Sequence, residues 1–335
     1  MAFEQQVNHS LVHPNVHDAA RPWSESAVLH VASAYSNPMR WDRRRELFHD
    51  FRREMLAAPN VKLYVGELAY GQRPFEVTHQ NRPEDFQYRS PAELWHKENL
   101  LNLVIGRFDP DWQYGAYVDG DFHFTRRDWA LEAVHLLQHF DFVQLFSSYS
   151  DLSPDQRPMT VTPSFAYNFA HKGLAPRTYR AGATGGAWAF RRSAFDAVGG
   201  LLDTCILGSG DWYMAFGLAG EPDDHPETKQ CGRDYVHAIR AWQARAAGLK
   251  QNFGYLENHA VHHFHGSKSR RDYGTRWKIL VENDFKPYTD LFRDWQGIYQ
   301  ITPDKPRLRD GIRKYFAGRN EDDLSLRGPR EVPLV

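Results

Sequence analysis

Two aspartates, Asp119 and Asp121, follow an apolar run that predicts a β-strand over residues 114–118. In an extended backbone, residues i and i+2 point the same way, so both carboxylates would face one spot. Gly120 between them leaves room for a bulky group beside the backbone. Two like charges this close repel unless a cation or a proton lies between them. A divalent ion that also binds phosphate oxygens would fit, which predicts nucleotide-diphosphate chemistry; a solvated turn at the strand end is the alternative.

A histidine cluster, formed by His262, His263 and His265, is the second group that could ligate a metal. In a strand, His263 and His265 would share one face and His262 would take the other. Neutral imidazole is the commonest metal ligand and complements a pair of carboxylates, although a surface cluster is the alternative. The basic loop that follows suits a pyrophosphate, because lysine and arginine donate charge-assisted hydrogen bonds to phosphate oxygens. Its candidates are Lys268, Arg270, Arg271 and Arg276.

Two glycine-rich segments lie between these clusters. Gly185 and Gly186 precede a short apolar run, where they would either let the backbone approach a ligand or form a tight turn. Asp211 follows a Gly-Ser-Gly sequence and opens an apolar helix. It is either the N-cap of that helix or a general base that reaches into a cleft, with Trp212 as an aromatic platform beside it.

The composition is that of a soluble globular protein: 335 residues, 41% hydrophobic and 25% charged, with a formal net charge of −1. This charge balance gives no reason to expect a nucleic-acid-binding or membrane-surface protein. The two cysteines, Cys205 and Cys231, lack the spacing of a disulfide framework or a zinc cluster. No apolar run approaches the ~20 residues needed to cross a bilayer, and residues 1–22 lack the apolar core of a signal peptide. We therefore expect a cytoplasmic protein.

The elements that would position these groups begin with a strand, a helix and a second strand, a βαβ unit typical of a parallel sheet. The predicted strands cover residues 27–35, 61–67, 114–118 and 141–147, and the predicted helices cover residues 40–58, 91–105, 127–140 and 308–316. Residues 71–89 are predicted to form a polar loop. Ligands of open parallel sheets bind beyond the carboxyl ends of the strands. The loop at residues 33–35, Glu67 and the two aspartates would therefore meet in one crevice.

The predicted organisation has three parts. Residues 1–25 would be an N-terminal arm, residues 26–290 a catalytic domain, and residues 291–335 a C-terminal helical extension and tail. Within the catalytic domain, residues 26–125 would form the nucleotide-binding half and residues 126–290 the acceptor half. The acceptor half would contain a long loop at residues 150–180, and loops of that length are usually functional or mobile.

The order of these motifs resembles that of the GT-A-fold glycosyltransferases. The resemblance covers about residues 26–285 and consists of the βαβ half, Asp-x-Asp at a strand end, Gly-Gly-Ala, Gly-Asp and His-x-His-Gly. The nearest match is the inverting, metal-dependent group that includes family-two-like transferases, β-1,4-galactosyltransferases and polypeptide GalNAc-transferase catalytic domains. It implies an α/β fold with a mostly parallel central sheet flanked by helices. It also implies transfer of a sugar from a nucleotide-diphosphate sugar, with a UDP-sugar favoured, to an acceptor hydroxyl, with inversion and with Mn²⁺ or Mg²⁺ as cofactor.

The resemblance further implies a role for each matching residue. Asp119 and Asp121 match the metal-binding pair, with Asp121 expected to contact the ion and Asp119 the ribose or a bridging water. His265 matches the C-terminal histidine ligand, and His263 is the other candidate. The residues implied around the nucleotide are Ala32, Ser33, Tyr35, Glu67, Lys97, Asn102, Lys268, Arg271 and Arg276. Those implied around the transferred sugar and the acceptor are Gly185, Gly186, Ala187, Trp188 and Trp212.

Asp211 matches the catalytic base of these enzymes, but the chain departs from their pattern beside it. The family usually places a glutamate directly before the base, whereas this chain has Gly210 there, so a second carboxylate is missing. Asp203, upstream in the sequence, is the fallback for the base.

Two functions of other kinds stay open. A metal-dependent hydrolase or nucleotidyltransferase would use the same carboxylates and histidines on a phosphate substrate. A non-catalytic module would bind a nucleotide sugar without turnover. The acceptor is open as well: a glycan, a protein, a small metabolite or a modified DNA base. Arginine pairs such as Arg52 and Arg53 would suit DNA phosphates, but the near-neutral net charge argues against a strongly basic surface.

Overall fold

The computed structural model of the protein describes residues 27–172, 182–221 and 226–324. The predicted N-terminal arm, the last part of the predicted loop at residues 150–180 and the end of the predicted tail lie outside these described residues. None of the helices in the described ranges is long and apolar enough to span a bilayer.

The strands of the described residues are β1 (Leu29–Ser36), β2 (Val61–Tyr70), β3 (Asp85–Ser90), β4 (Tyr114–Val118), β5 (Phe122–Phe124), β6 (Phe142–Gln144), β7 (Ser148–Leu152), β8 (Pro158–Pro163), β9 (Ala187–Arg191), β10 (Phe253–Tyr255), β11 (His259–His262), β12 (Leu291–Arg293) and β13 (Tyr299–Ile301). The helices are α1 (Asp42–Ala57), α2 (Lys97–Ile105), α3 (Trp129–Leu136), α4 (Phe165–Ala170), α5 (Arg192–Val198), α6 (Gly210–Leu218), α7 (Pro226–Gln230), α8 (Arg233–Ala247), α9 (Lys278–Glu282), α10 (Pro287–Asp290) and α11 (Pro306–Arg319). A short 3₁₀ helix covers Lys268–Arg271.

The central sheet has seven strands in the order β10-β6-β9-β4-β1-β2-β3. β1 pairs in parallel with β2 and β4, β2 with β3, and β6 with β10. Only β9 runs against its two neighbours, β4 and β6. The predicted fold class, an α/β protein with a mostly parallel sheet flanked by helices, is therefore confirmed.

Both faces of this sheet are covered, which explains why its inner strands are continuous apolar runs. On β1, Leu29, Val31 and Tyr35 belong to the hydrophobic cluster under α1 and α3, whereas Ala32 belongs to the cluster on the opposite face. α1 is amphipathic, and its buried residues lie at helical spacing: Leu47, Phe48, Phe51, Arg52 and Met55. Neighbouring side chains of β1 thus pack against opposite helical layers, and the carboxyl ends of β1 and β4 lie between these layers.

A second sheet of four strands, in the order β5-β11-β7-β8, lies beside the carboxyl end of β4. β5 follows β4 after a three-residue turn and pairs antiparallel with β11. β11 in turn pairs in parallel with β7, and β7 forms a hairpin with β8. Segments that are far apart in sequence are thereby brought next to the Asp119–Asp121 turn.

Two predicted loops contain regular structure. Residues 85–90, within the loop predicted at residues 71–89, form the edge strand β3, in which only Tyr88 and Ser90 are buried. Residues 148–170, within or beside the loop predicted at residues 150–180, form the β7–β8 hairpin and α4. Both predictions were wrong for the same reason: β3 and β8 are edge strands with polar or exposed residues, so they lack an apolar pattern.

Candidate active site

A cavity of about 430 Å³ opens at the carboxyl ends of β1 and β4. Its acidic lining residues are Glu98, Asp119, Asp121 and Asp211. Its basic lining residues, apart from histidines, are Arg44, Lys97, Lys268, Arg271, Arg276 and Arg319. A lining with both basic and acidic groups suits a polyanionic ligand that binds together with a cation, since guanidinium and ammonium groups bind phosphate oxygens and carboxylates bind cations.

The two aspartates of the Asp-x-Asp motif lie in a turn, not in an extended strand. β4 ends at Val118, and the amide of Phe122 donates to the carbonyl of Asp119 (3.1 Å). The predicted extended backbone is therefore wrong, because the chain turns between the two residues, but both aspartates line the same cavity. Gly120 is required for a reason other than ligand access: a Cβ there would lie 2.4 Å from the ring of Phe48.

Asp119 and Asp121 consequently have different partners. The Lys97 ammonium on α2 lies 2.6 Å from Oδ1 of Asp119 and 2.7 Å from Oδ2. Asp121 instead faces two imidazoles: its Oδ2 lies 2.8 Å from Nε2 of His265 and 3.7 Å from Nε2 of His262. The two Nε2 atoms are 3.3 Å apart.

The pairing of β5 with β11 explains how these histidines reach Asp121. His262 is opposite Phe122 in the antiparallel register, and the amide of His263 donates to the carbonyl of Asp121 (3.0 Å). β11 ends at His262, so the prediction that His263 and His265 share a strand face is wrong. His263 points elsewhere, and its Nδ1 is hydrogen-bonded to Oε1 of Gln156 (2.8 Å).

Within the described part of the chain, the group able to hold a metal ion is Asp121, His262 and His265. One carboxylate oxygen and two imidazole nitrogens lie within 4.8 Å of one another. Two electron-rich atoms, Asp121 Oδ2 and His265 Nε2, are only 2.8 Å apart, a separation that needs a proton or a cation nearby. The donor set fits a divalent ion, and the two imidazole nitrogens favour a transition metal such as Mn²⁺ over Mg²⁺.

The electrostatic surroundings of the two aspartates are opposite in effect. Burial raises the pKa of Asp119 above its usual value, outweighing Lys97, and the nearby charge of Asp121 adds to this effect. Burial acts on Asp121 in the same direction, but His265 and His262 overcome it and hold the pKa of Asp121 well below its usual value. Of the two aspartates, Asp121 is therefore the one whose surroundings favour the ionised form.

Asp211 reaches the same cavity from the first turn of α6. It is not the N-cap of this helix, because Ser209 occupies that position in the left-handed region (φ 71°). Its Oδ2 accepts a hydrogen bond from the hydroxyl of Thr184 (3.2 Å). A Cβ at residue 185 would lie 2.5 Å from this Oδ2, so Gly185 is needed for the carboxylate to come so close to the backbone.

Glu98, which the sequence analysis did not identify, lies next to Asp211. It is 4% exposed, lines the cavity, and would be 3.3 Å from a Cβ built on Gly210. Burial, together with the charge of Asp211 and against that of Lys97, raises its pKa to about 8. A carboxyl group therefore does lie beside Gly210, but it comes from α2 and not from the chain position before Asp211.

Of the predicted basic residues, Lys268, Arg271 and Arg276 line the cavity, whereas Arg270 does not and is paired with Asp323 (2.6 Å). Lys268 contacts Asp151 (2.5 Å), Arg271 donates to Nε2 of His265 (2.9 Å), and Arg276 donates to the hydroxyl of Ser209 (2.9 Å). Arg44 and Arg319, on α1 and α11, complete this basic wall. Neither belongs to a sequence motif, although Arg44 lies in the basic run of α1.

Of the other predicted residues, Tyr35, Gly185 and Gly186 line the cavity, with the Tyr35 hydroxyl donating to Glu76. The remainder have structural contacts outside its lining. Glu67 is buried and accepts the backbone amides of Val77 (3.0 Å) and Thr78 (2.8 Å). The residues predicted to bind ligand that do not line the cavity are Ala32, Ser33, Glu67, Asn102, Ala187, Trp188, Trp212, His263 and, as fallback base, Asp203.

Several of these residues are engaged in hydrogen bonds or ion pairs elsewhere. The Ser33 hydroxyl donates to the carbonyl of Val118 (2.9 Å), and the Asn102 amide donates to the carbonyl of Leu201 (2.9 Å). The Trp188 indole donates to the carbonyl of Thr184 (2.8 Å), behind the glycine turn. Asp203 is paired with Arg293 (2.9 Å). Their polar groups hold the strands and loops that shape the cavity.

No protein-family model matches the sequence, and no curated protein matches it. Among solved structures, the chain is similar to a crystal structure from Desulfovibrio desulfuricans G20 described, as a provisional assignment, as a nucleotide-diphospho-sugar transferase. The similarity covers 78% of this chain and 96% of that chain, with 12% sequence identity and a TM-score of 0.29. A TM-score this low supports no conclusion about function, which has to come from the cavity itself.

Proposed function

We propose that the protein is a GT-A-like glycosyltransferase that moves a sugar from a nucleotide-diphosphate sugar to an acceptor hydroxyl, with inversion at the anomeric carbon. The observation that carries this proposal is the content of one cavity: a carboxylate and two imidazoles at metal-binding distances, six basic side chains, and a separate carboxylate, Asp211. Such a set suits a metal-bound diphosphate and a proton acceptor together.

Asp121, His262 and His265 would hold the divalent ion, Mn²⁺ or Mg²⁺, with Mn²⁺ favoured by the two imidazoles. When bound, such an ion neutralises the negative charge that develops on a diphosphate leaving group. The basic wall adds to this effect, since Arg271 and Lys268 can donate charge-assisted hydrogen bonds to phosphate oxygens.

Asp211 would act as the general base. Its carboxylate would take the proton of the acceptor hydroxyl while the acceptor oxygen bonds to the anomeric carbon. The bond between that carbon and the diphosphate oxygen breaks in the same step, and the nucleoside diphosphate leaves with the electron pair. Attack from the face opposite the leaving group gives inversion. Gly185, beside Asp211, and Gly186, beside the ring of Phe122, line the cavity and would let the donor sugar lie against the backbone.

The donor is proposed to be a UDP-sugar, and the enzyme is proposed to work in the cytoplasm. The acceptor could be a glycan, a protein, a small metabolite or a modified DNA base. Each of these offers the hydroxyl that the reaction needs, and the described residues favour none of them.

A thermal-shift screen of nucleoside diphosphates and their sugars, with and without Mn²⁺, tests the donor and the ion. A ligand that binds the folded protein raises its melting temperature, so we expect the largest shift with Mn²⁺ and a UDP-sugar together. If no diphosphate nucleotide gives a shift, the donor assignment is wrong.

Turnover is tested with Asp211→Asn. We expect this variant to bind the donor as the wild type does and to lose acceptor-dependent release of nucleoside diphosphate by about 100-fold or more. Near-normal transfer by the variant would exclude Asp211 as the base. Release of free sugar phosphate or nucleoside monophosphate by the wild type would indicate the hydrolase or nucleotidyltransferase alternative, and binding without any product would indicate a non-catalytic module.

A further inference from the structure

Each of the two histidines that face Asp121 has a carboxylate at its other ring nitrogen. Nδ1 of His262 lies 2.9 Å from Oδ1 of Asp151, and Nδ1 of His265 lies 3.0 Å from Oε2 of Glu321. Both carboxylates are enclosed, with side chains 11% and 1% exposed. They come from unrelated parts of the chain, β7 and the segment after α11, yet they make the same contact.

The contacts of His265 determine which of its ring nitrogens carries the proton. A guanidinium group can only donate hydrogen bonds, and Nη2 of Arg271 lies 2.9 Å from Nε2 of His265. Nε2 is therefore the acceptor nitrogen, and Nδ1 carries the hydrogen that it donates to Glu321. The single lone pair of Nε2 accepts from Arg271 while Asp121 Oδ2 lies 2.8 Å from the same nitrogen, so an ion bound between His265 and Asp121 would replace the Arg271 hydrogen bond.

His262 makes the corresponding contact through its own Nδ1. An ionised carboxylate only accepts hydrogen bonds, so Asp151 fixes a hydrogen on Nδ1 of His262 and leaves Nε2 towards Asp121. Lys268 lies 2.5 Å from the other carboxylate oxygen of Asp151, Oδ2. The second carboxylate, Glu321, is paired with Arg44 and Arg319.

We propose that Asp151 and Glu321 are positioning residues, which hold His262 and His265 as Nδ1-protonated imidazoles with both Nε2 atoms directed at the ion that Asp121 binds. This inference rests on the metal site in the proposed function and deepens it. A carboxylate behind a ligating histidine fixes the tautomer and the ring orientation and makes the imidazole a better ligand.

Glu321 itself is held firmly by basic residues. Arg44 donates to both of its carboxylate oxygens (2.7 and 2.9 Å), and Nε of Arg319 lies 2.8 Å from Oε1. The next residue, Asp322, accepts the amides of Asp42 and Arg43 at the start of α1 (3.1 and 2.8 Å). The segment after α11 is thus fastened to α1 and to the histidine loop at once.

A purely structural role for Glu321, as a counter-charge for the two arginines, makes a different prediction. In that case Glu321→Gln would lower stability without altering the tautomer of His265 or the affinity for a metal. Asp322→Asn is the matched control, because it makes the same change of charge in the same segment but does not contact a histidine.

The inference is tested by titrating the full-length protein with Mn²⁺ and following free Mn²⁺ by electron paramagnetic resonance. We expect Glu321→Gln and Asp151→Asn each to weaken binding by about 10- to 100-fold, the usual loss when such a partner is removed. Asp322→Asn should bind as the wild type does. Equal affinity of the wild type and both test variants would overturn the inference while leaving the metal site in place.

A second readout does not need the metal. Nitrogen-15 chemical shifts of the histidine rings in the metal-free protein report which nitrogen is protonated, and we expect Glu321→Gln to shift His265 away from the Nδ1-protonated form. An unchanged tautomer would overturn the role of Glu321. If Glu321→Gln fails to fold, Asp151→Asn and the ring of His262 decide the outcome. A wild-type protein that does not bind Mn²⁺ would remove the metal site and this inference together.

Discussion

The two sides of the cavity treat their carboxylates in opposite ways. On the side of β11, the pKa values of Asp121, Asp151 and Glu321 are all lowered, because histidines, lysine or arginines outweigh the effect of burial. On the side of α2, burial prevails over the single ammonium of Lys97, and the pKa values of Asp119 and Glu98 are raised. The β11 side thus favours a bound cation, whereas on the α2 side burial favours a proton on Glu98.

This difference gives distinct tasks to two acids that are almost adjacent in sequence. Because the chain turns between them, Asp119 is paired with Lys97 and Asp121 with His265, and these different partners shift their pKa values in opposite directions. An Asp-x-Asp motif interpreted only from its residue types would assign the same role to both aspartates. If substitutions on the two sides of the cavity have equal effects, the proposed difference between the sides is wrong.

The largest expected effect concerns the ion. Asp121→Asn should weaken Mn²⁺ binding by at least about 100-fold, more than the loss expected from a partner behind a ligand, because it removes the charged ligand itself. Asp119→Asn, the matched control, should keep most of the affinity, since Asp119 is paired with Lys97. Calorimetric titration of both variants measures the difference, and equal losses would show that both aspartates ligate the ion.

A second prediction concerns the stability of the protein against pH. The folded protein holds a proton on Glu98 up to about pH 8, whereas an ordinary glutamate loses it near pH 4.5. This contribution to the free energy of unfolding is complete below about pH 4.5 and is lost as the pH rises through about 8. Glu98→Gln, which resembles the protonated acid, should lack this loss.

We expect the wild type to lose, relative to Glu98→Gln, on the order of a few kcal/mol between pH 5 and pH 9. Urea unfolding at a series of pH values measures it. Parallel curves for the two proteins would mean that Glu98 is ionised in the folded state, and the α2 side would then resemble the β11 side.

The smallest effect is expected at the third histidine. The side chain of His263 contacts Gln156 and not the carboxylate of Asp121, so His263→Ala should change the affinity for Mn²⁺ by less than about twofold, as for an ordinary substitution outside the site. His262→Ala, its neighbour in sequence, should bind the ion far more weakly. A loss at His263 as large as at His262 would contradict the placement of both side chains.

The sequence predicts much of the frame that carries this site. The strands at β1, β2 and β4 and the helix α1 are apolar runs or amphipathic patterns of ordinary length, and their local signals agree with the fold. Asp119, Asp121, Asp211 and His265 were identified at element ends, and all four line the cavity. Their roles stay predictions.

The residues that were missed depend on pairing between distant segments. The side chain of His262 rather than that of His263 faces the Asp121 carboxylate, because β11 pairs with β5 and ends at His262, three residues before His265. Glu98, on α2, supplies the second carboxyl group that is missing from the chain position before Asp211. Glu321 follows α11 as a single acid without any motif, and only its contacts with Arg44 and His265 distinguish it. No local pattern encodes such contacts.

The position of Glu321 also has a consequence for synthesis. The side chains around the proposed metal centre begin with Arg44 on α1, and Glu321 is the last of them to be added by the ribosome. A nascent chain can form the βαβ half early, because those contacts are local. The contact between His265 and Glu321 cannot form until residue 321 has left the exit tunnel. Chains stalled before this point should fold their first half and fail to retain the ion.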